Sequence, residues 1–286
     1  MEKQSTNSLR SALVVFTAGA FFFYSFIQMT LFSTEAMKEF FMEMLSLETT
    51  AELAANGDCL HVVHLSETES EVATCIERYG VRPVAHFNRL GLLESRLLAA
   101  HCVQLTDKEI ELLARAEVKV SHCAESNMKL ASGAAPIPAL LGEGVCVSIG
   151  TDGPASNNDV DMFAEMSCVA KVHKVVALDP TVMDAVTVLS MATIAGAMAL
   201  GLGAITGSLE IGKKAGIIIV DMDKPHLTPL YNPYSHLVYA ARGNDVSHSI
   251  INGRLVMEDR ELLTLDLEAI MAKAKAKSRQ VLKWLS

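Results

Sequence analysis

Cys59-Leu60-His61-Val62-Val63-His64-Leu65-Ser66-Glu67 is the stretch on which the reading of this chain turns. A short apolar run stops abruptly in polar residues, the pattern of a buried strand leading into a turn. Ser66 to Tyr79 then shows the apolar period of a helix, closed by Gly80, and the alternation repeats downstream. Leu97 to Val103, Val118 to Ser121 and Val145 to Ile149 read as further strands; Asp107 to Ala116 and Pro136 to Leu141 read as the helices between them. Strands alternating with helices at this spacing imply a parallel sheet, because parallel neighbours need a crossover connection. Each strand also ends in residues that can do chemistry: His64, Ser66 and Glu67, then His101, then Ser121 and His122, then Thr151 and Asp152. In a (β/α)8 barrel the strand C-termini form one functional face, so these ends are expected to converge.

Beyond Asp152, Gly153 to Asn158 reads as a loop, Met162 to Val176 as a helix, and Pro180 to Gly201 as an Ala- and Met-rich helical stretch. From Gly207 the pattern changes to short strands, Ala215 to Asp221, Val246 to Ile251 and Arg254 to Met257, the last two joined by an Asn252-Gly253 hairpin turn. Leu267 to Leu285 closes the chain as a helix.

The whole chain has 286 residues, 50% hydrophobic and 20% charged, with a formal charge of −9. That composition excludes disorder as the dominant state and argues against a nucleic-acid surface, which needs clustered Lys and Arg. The six cysteines contain no CxxC pair and lie mostly in apolar runs, the pattern of buried thiols in a reducing, cytoplasmic setting. Neither a disulfide framework nor a thiolate zinc site is expected. One feature is uneven: eight of the ten phenylalanines fall in the first 41 residues, and residues 11–34 carry no charge. That run is long enough to span a bilayer, so a membrane anchor there is the alternative to a cytoplasmic protein.

The candidate site is His64, Glu67, His101 and Asp152. Imidazole and carboxylate groups at rigid strand ends suit a divalent metal such as zinc, with His64 and Asp152 as ligands. Glu67 is placed to shuttle a proton, and His101 to hold or polarise the attacked centre. A single histidine at a strand end is more often structural, and Glu67 could serve only as a first-turn helix residue. His61 differs in parity from His64 and is read as structural, and His122 as a hydrogen-bonding residue.

The wording of the motifs goes further. His64-Leu65-Ser66-Glu67-Thr68-Glu69, Ala99-Ala100-His101-Cys102-Val103, Ser121-His122-Cys123 through Gly133, and Gly150-Thr151-Asp152-Gly153 through Asn158 resemble the amidohydrolase superfamily. Within it they look most like the 5-methylthioadenosine/S-adenosylhomocysteine deaminases, near the chlorohydrolase and guanine deaminase branch. Gly207-Ser208-Leu209-Glu210-Ile211-Gly212-Lys213 extends the match, which runs from about Glu48 to Asp266. The resemblance implies a metal-dependent hydrolase that deaminates an adenosine-type purine nucleoside, with Zn2+, or another divalent metal such as Fe2+, held by His64 and Asp152. It implies Glu67, His101 and Asp152 as catalytic and substrate-binding residues.

The implied architecture is α/β: strands 5–8 of a TIM-like (β/α)8 barrel over residues 48–206, a small β-sandwich module over 207–266, and a terminal helix over 267–286. Residues 1–47 read as unrelated to the family, either a membrane segment or frame-shifted sequence. Gln104 and Gly216 are small departures from the family pattern. The large one is the missing His-x-His, which occurs nowhere in the chain and which in the family supplies two more ligands. Three outcomes are therefore expected to compete: an N-terminally incomplete deaminase, an enzyme completed by a second copy or a complementing N-terminal chain, and a catalytically incomplete binding or assembly protein.

Overall fold

In the computed structural model, residues 47–57 and 59–285 are described. The phenylalanine-rich segment and the proposed anchor at 11–34 lie outside them. Among the described residues no helix is long and apolar enough to cross a membrane.

The alternation read from the sequence becomes a four-stranded parallel sheet. Strands β1 (His61–Leu65), β2 (Leu97–His101), β3 (Lys119–His122) and β4 (Val147–Ile149) lie side by side in chain order. Helix α1 (Leu47–Asn56) precedes them; α2 (Glu69–Tyr79) and α3 (Pro83–Arg89) connect β1 to β2, α4 (Asp107–Arg115) connects β2 to β3, and α5 (Ala124–Lys129) and α6 (Ile137–Gly142) connect β3 to β4. This is the expected partial (β/α)8 barrel.

Local chemistry fixes these boundaries. Thr68 and Thr106 each accept a hydrogen bond from the amide three residues on, while Glu71 and Glu109 reach back to the cap amides, so α2 and α4 both begin with a capping box. Gly80 ends α2 in the left-handed conformation at φ 72°, which glycine adopts without penalty.

Register places His64, Ala100, Ser121 and Ser148 in one row, and Val63, Ala99, Val120 and Val147 in the next. The second row points into the main core, where Leu65, Ala99, Val120 and Val147 pack with Leu113, Ile137, Leu140 and Val169. The first row points the other way and is half-covered, with His64 exposed. His61 lies on the buried side, within 3.3 Å of Thr50 on α1, as the parity argument requires.

Helices α7 (Met162–Ala177), α8 (Ala185–Ala192) and α9 (Ile194–Ala199) follow β4. The sequence suggested one helical stretch through 180–201, but the backbone breaks at Thr193 (φ −125°, ψ −95°). There the threonine hydroxyl bonds back to the Leu189 carbonyl, a local bond that competes with helix continuation.

The C-terminal module holds β5 (Ile217–Val220), β6 (Val246–Ile251), β7 (Arg254–Glu258) and β8 (Glu261–Leu262); α10 (Pro233–Tyr239), between β5 and β6 in the chain, packs instead against α7 and α8. The module's strands form one antiparallel sheet in chain order, and among the described residues no second antiparallel sheet is present. The Asn252-Gly253 turn has φ 52° and 78°, the paired left-handed residues of a type I′ hairpin. Helix α11 (Leu267–Leu285) ends the described chain, and its residues 270–283 are exposed. Of the six cysteines only Cys102 and Cys123 are buried; the other four are half-buried rather than core residues.

Candidate active site

The site lies where β1, β2 and β4 run out. His64 is near the end of β1, His101 ends β2, and Asp152 follows β4. One donor atom from each of the three comes within 4.8 Å of the others. The backbone turns sharply there: Ser66, His101, Cys102 and Asp152 have φ of 53°, 72°, 50° and 60°, left-handed values that non-glycine residues adopt at some cost. Gly150 makes room for the approach, since a Cβ at that position would lie 2.7 Å from Ser121 Oγ.

Each side chain is oriented by a partner. His101 is buried, and its Nδ1 pairs with Asn127 Oδ1 at 2.8 Å, which fixes the ring with Nε2 toward Glu67. Glu67 Oε2 stands 3.8 Å from that Nε2, and its other oxygen accepts from Ser132 Oγ at 3.2 Å. The loop carrying Glu67 is held by Glu71, whose carboxylate accepts the amides of Ser66 (2.8 Å) and Glu67 (2.6 Å). Asp152 Oδ2 accepts from Ser126 Oγ (2.8 Å) and Ser156 Oγ (2.5 Å).

The electrostatics follow from this packing. Burial alone would raise the Asp152 pKa, but the hydrogen bonds from Ser156, Ser126 and the Gly153 amide, with His101 nearby, outweigh it and hold the carboxyl below its usual value. Although the His64 side chain reaches solvent, desolvation by surrounding protein and the His101 ring, centred 5.1 Å away, keep its pKa below the usual imidazole value. Both shifts favour the ligating forms, an ionised carboxylate and a neutral imidazole. Two imidazoles and a carboxylate are a donor set that zinc accepts.

Sequence reasoning named His64, Glu67, His101 and Asp152, and the structure brings all four together. It also moves His101 into the group of potential metal donors, beyond the substrate contact expected from sequence. Ser126, Asn127 and Ser156 were not singled out. They lie inside the quoted motifs, but only the fold shows them touching His101 and Asp152. His122 sits outside the cluster and bonds His173 on α7, Nε2 to Nε2 at 3.0 Å, with both rings buried. Burial, then the neighbouring His173 and His101 rings, lower the His122 pKa to about 3, and burial lowers that of His173 to about 4.

Comparison with known proteins identifies the family. A 5-methylthioadenosine/S-adenosylhomocysteine deaminase of Syntrophobacter fumaroxidans is 55% identical over 220 residues, covering 77% of this chain and 50% of that protein. A 5'-deoxyadenosine deaminase of Methanothermobacter thermautotrophicus is 47% identical over 235 residues, covering 82% and 55%. The crystal structure of an adenosine deaminase from Xanthomonas campestris with bound zinc superposes with a TM-score of 0.80 at 44% identity, covering 82% of this chain and 54% of that one. The chain thus spans about half the length of the relatives it matches. The pattern of the amidohydrolase family matches residues 31–256, beginning ahead of the motifs that carried the resemblance, and the chain belongs to that family.

Proposed function

We propose that this chain carries a zinc-dependent aminohydrolase site for an adenosine-type purine, with 5-methylthioadenosine and S-adenosylhomocysteine as the first substrates to test. The observation that carries the reading is the convergence of His64, His101 and Asp152 donors within 4.8 Å, beside Glu67. Similarity to deaminases of 5-methylthioadenosine and 5'-deoxyadenosine supports the substrate class.

His64 and Asp152 would hold the metal, with His101 inside the same donor group. Zn2+, or Fe2+ in its place, would supply Lewis-acid activation of the attacking water. Asp152, kept ionised by Ser126 and Ser156, accepts a proton from that water. Glu67, steadied by Ser132 and by the loop bonds of Glu71, delivers a proton to the departing amine. His101, fixed by Asn127, presents Nε2 to the purine or to the charge that develops on it. A C–O bond forms at the ring carbon, the exocyclic C–N bond breaks, and ammonia leaves.

The test is zinc titration of the purified chain by calorimetry, with ammonia release from 5-methylthioadenosine measured in parallel. Stoichiometric zinc binding that is lost in His64→Ala and Asp152→Asn, together with turnover, is the expected result. Absence of zinc binding, or binding indifferent to both substitutions, overturns the site. The missing His-x-His favours a second reading, a binding or assembly protein. Zinc and purine binding without turnover would support that reading instead.

A further inference from the structure

Behind Asp152 lies a second pair of carboxyl groups that the proposed chemistry does not use. Glu165, in the first turn of α7, is fully buried. Its Oε1 accepts the Glu125 amide at 3.1 Å, and its Oε2 accepts Asn157 Nδ2 at 3.1 Å. The same Asn157 Nδ2 reaches Glu125 Oε2 at 3.2 Å, so one side-chain amide bridges the two carboxyl groups. Glu125 and Asn157 are chain neighbours of Ser126 and Ser156, the two residues whose hydroxyls clamp Asp152.

We propose that Glu165 is a positioning residue for Asp152, acting through Glu125 and Asn157 to hold both serine-bearing segments against the Asp152 carboxylate. Two carboxyl groups bridged by one amide repel each other when both are ionised, which favours a proton on one of them. Burial, reinforced by the charge of Glu125, raises the Glu165 pKa to about 7 even though backbone amides and Asn157 oppose the shift, so Glu165 is the group that keeps the proton. The charged and titratable groups around the pair are Asp159 and Asp161 on the loop into α7, the Cys123 thiol before α5, and Cys168 and Lys171 further along α7. Lys171 donates to Ser167, so no cation pairs directly with Glu165 among the described residues. Loss of the proton above neutrality leaves two facing carboxylates and loosens the clamp.

The proposal rests on Asp152 being a site residue, and its test is first made without metal. Hydrogen exchange of the Ser156 and Asn157 amides, both bonded to the Gly153 carbonyl, is measured in the full chain from pH 5 to 9. After correction for intrinsic rates, the wild type is expected to exchange about tenfold faster above pH 7 than below it. Glu165→Gln, which keeps an acceptor for the α5 amides and a donor for Glu125, should stay protected across the range. Glu165→Ala should be fast throughout. Asn157→Ala, which cuts only the loop arm and leaves the buried carboxyls in place, covers the case in which Glu165→Ala does not fold; it too should be fast. Zinc affinity should fall about tenfold or more in the alanine variants and recover in Glu165→Gln. Unchanged exchange in Asn157→Ala, or a wild type and Glu165→Gln with the same pH profile, overturns the proposal. Zinc failing to bind the wild type would sink the metal reading and leave the exchange result to decide this one.

Discussion

The two sheets of this molecule are built on opposite terms. The parallel sheet buries Ala99, Val120 and Val147 of one row in a core shared with its helices, with Val63 packed at the edge, and its strand ends carry the site. The antiparallel module is thinly covered: Ile218 and Ile219 on β5 are each about half exposed, and its strands bring no metal-donor group together among the described residues. The difference shows where the constraint lies. A parallel sheet needs cover before its edges and loops are positioned, so packing and site are tied together; a hairpin-built sheet forms largely from local turns.

The contrast can be broken most directly in the core. Leu140→Ala, at a fully buried position under the parallel sheet, should cost about 3 kcal/mol, whereas Ile219→Ala in the module should cost less than about 1 kcal/mol. Urea unfolding of both variants checks this, and equal costs would mean that the module is as tightly held as the sheet.

The junction between the two regions is the next most sensitive place. Gly207 has φ 94°, and a Cβ there would lie 2.5 Å from Ala197 Cβ and 3.1 Å from Ile194 Cα on α9. Gly207→Ala combines backbone strain with a clash and should lower stability by about 2 kcal/mol or more in the same unfolding assay.

A pH series sharpens the comparison further. His122 and His173 are neutral in the folded core, with pKa values lowered to about 3 and about 4, but would protonate near 6.5 when unfolded. Their depressed values mean that the unfolded chain binds more protons between those limits. Stability is therefore full above about pH 6.5 and is lost progressively as pH falls toward 4. His173→Phe should flatten that acid limb in thermal melts, and an unchanged limb would mean that other groups set it. The smallest effect is expected at the module's hairpin, where Gly253 has φ 78° but open space around its Cβ position; Gly253→Ala should cost about 1 kcal/mol from backbone strain alone.

Much of the parallel sheet was legible in the sequence because both of its signals are local. Apolar runs such as Val62–Leu65 mark strands, and the residues that follow mark the functional face. Elements without a long period escaped: α3, α10 and β8 are a turn or two of helix, or a pair of strand residues, too short for periodicity to register. The site divided the same way. His64, Glu67, His101 and Asp152 announce themselves by residue type and position. Ser126, Asn127 and Glu165 act by touching groups far away in the chain, and Ser156 meets Asp152 through the turn of its own loop; a serine in a loop or a glutamate in a helix looks the same whether or not it meets such a partner. The His122–His173 bond is of this kind too, since His173 in mid-helix gave no sign of its partner.

The left-handed residues at the strand ends have a further consequence. Neighbouring strands are spaced about 4.8 Å apart, so β2 and β4, separated by β3, lie about 10 Å apart. Donors from His101 and Asp152 nevertheless belong to a group only 4.8 Å across. The gap is closed by the reach of the two side chains, from backbone that leaves the strand conformation at His101, Cys102 and Asp152. The third strand contributes no donor, yet it acts as the spacer that sets the reach of the other two.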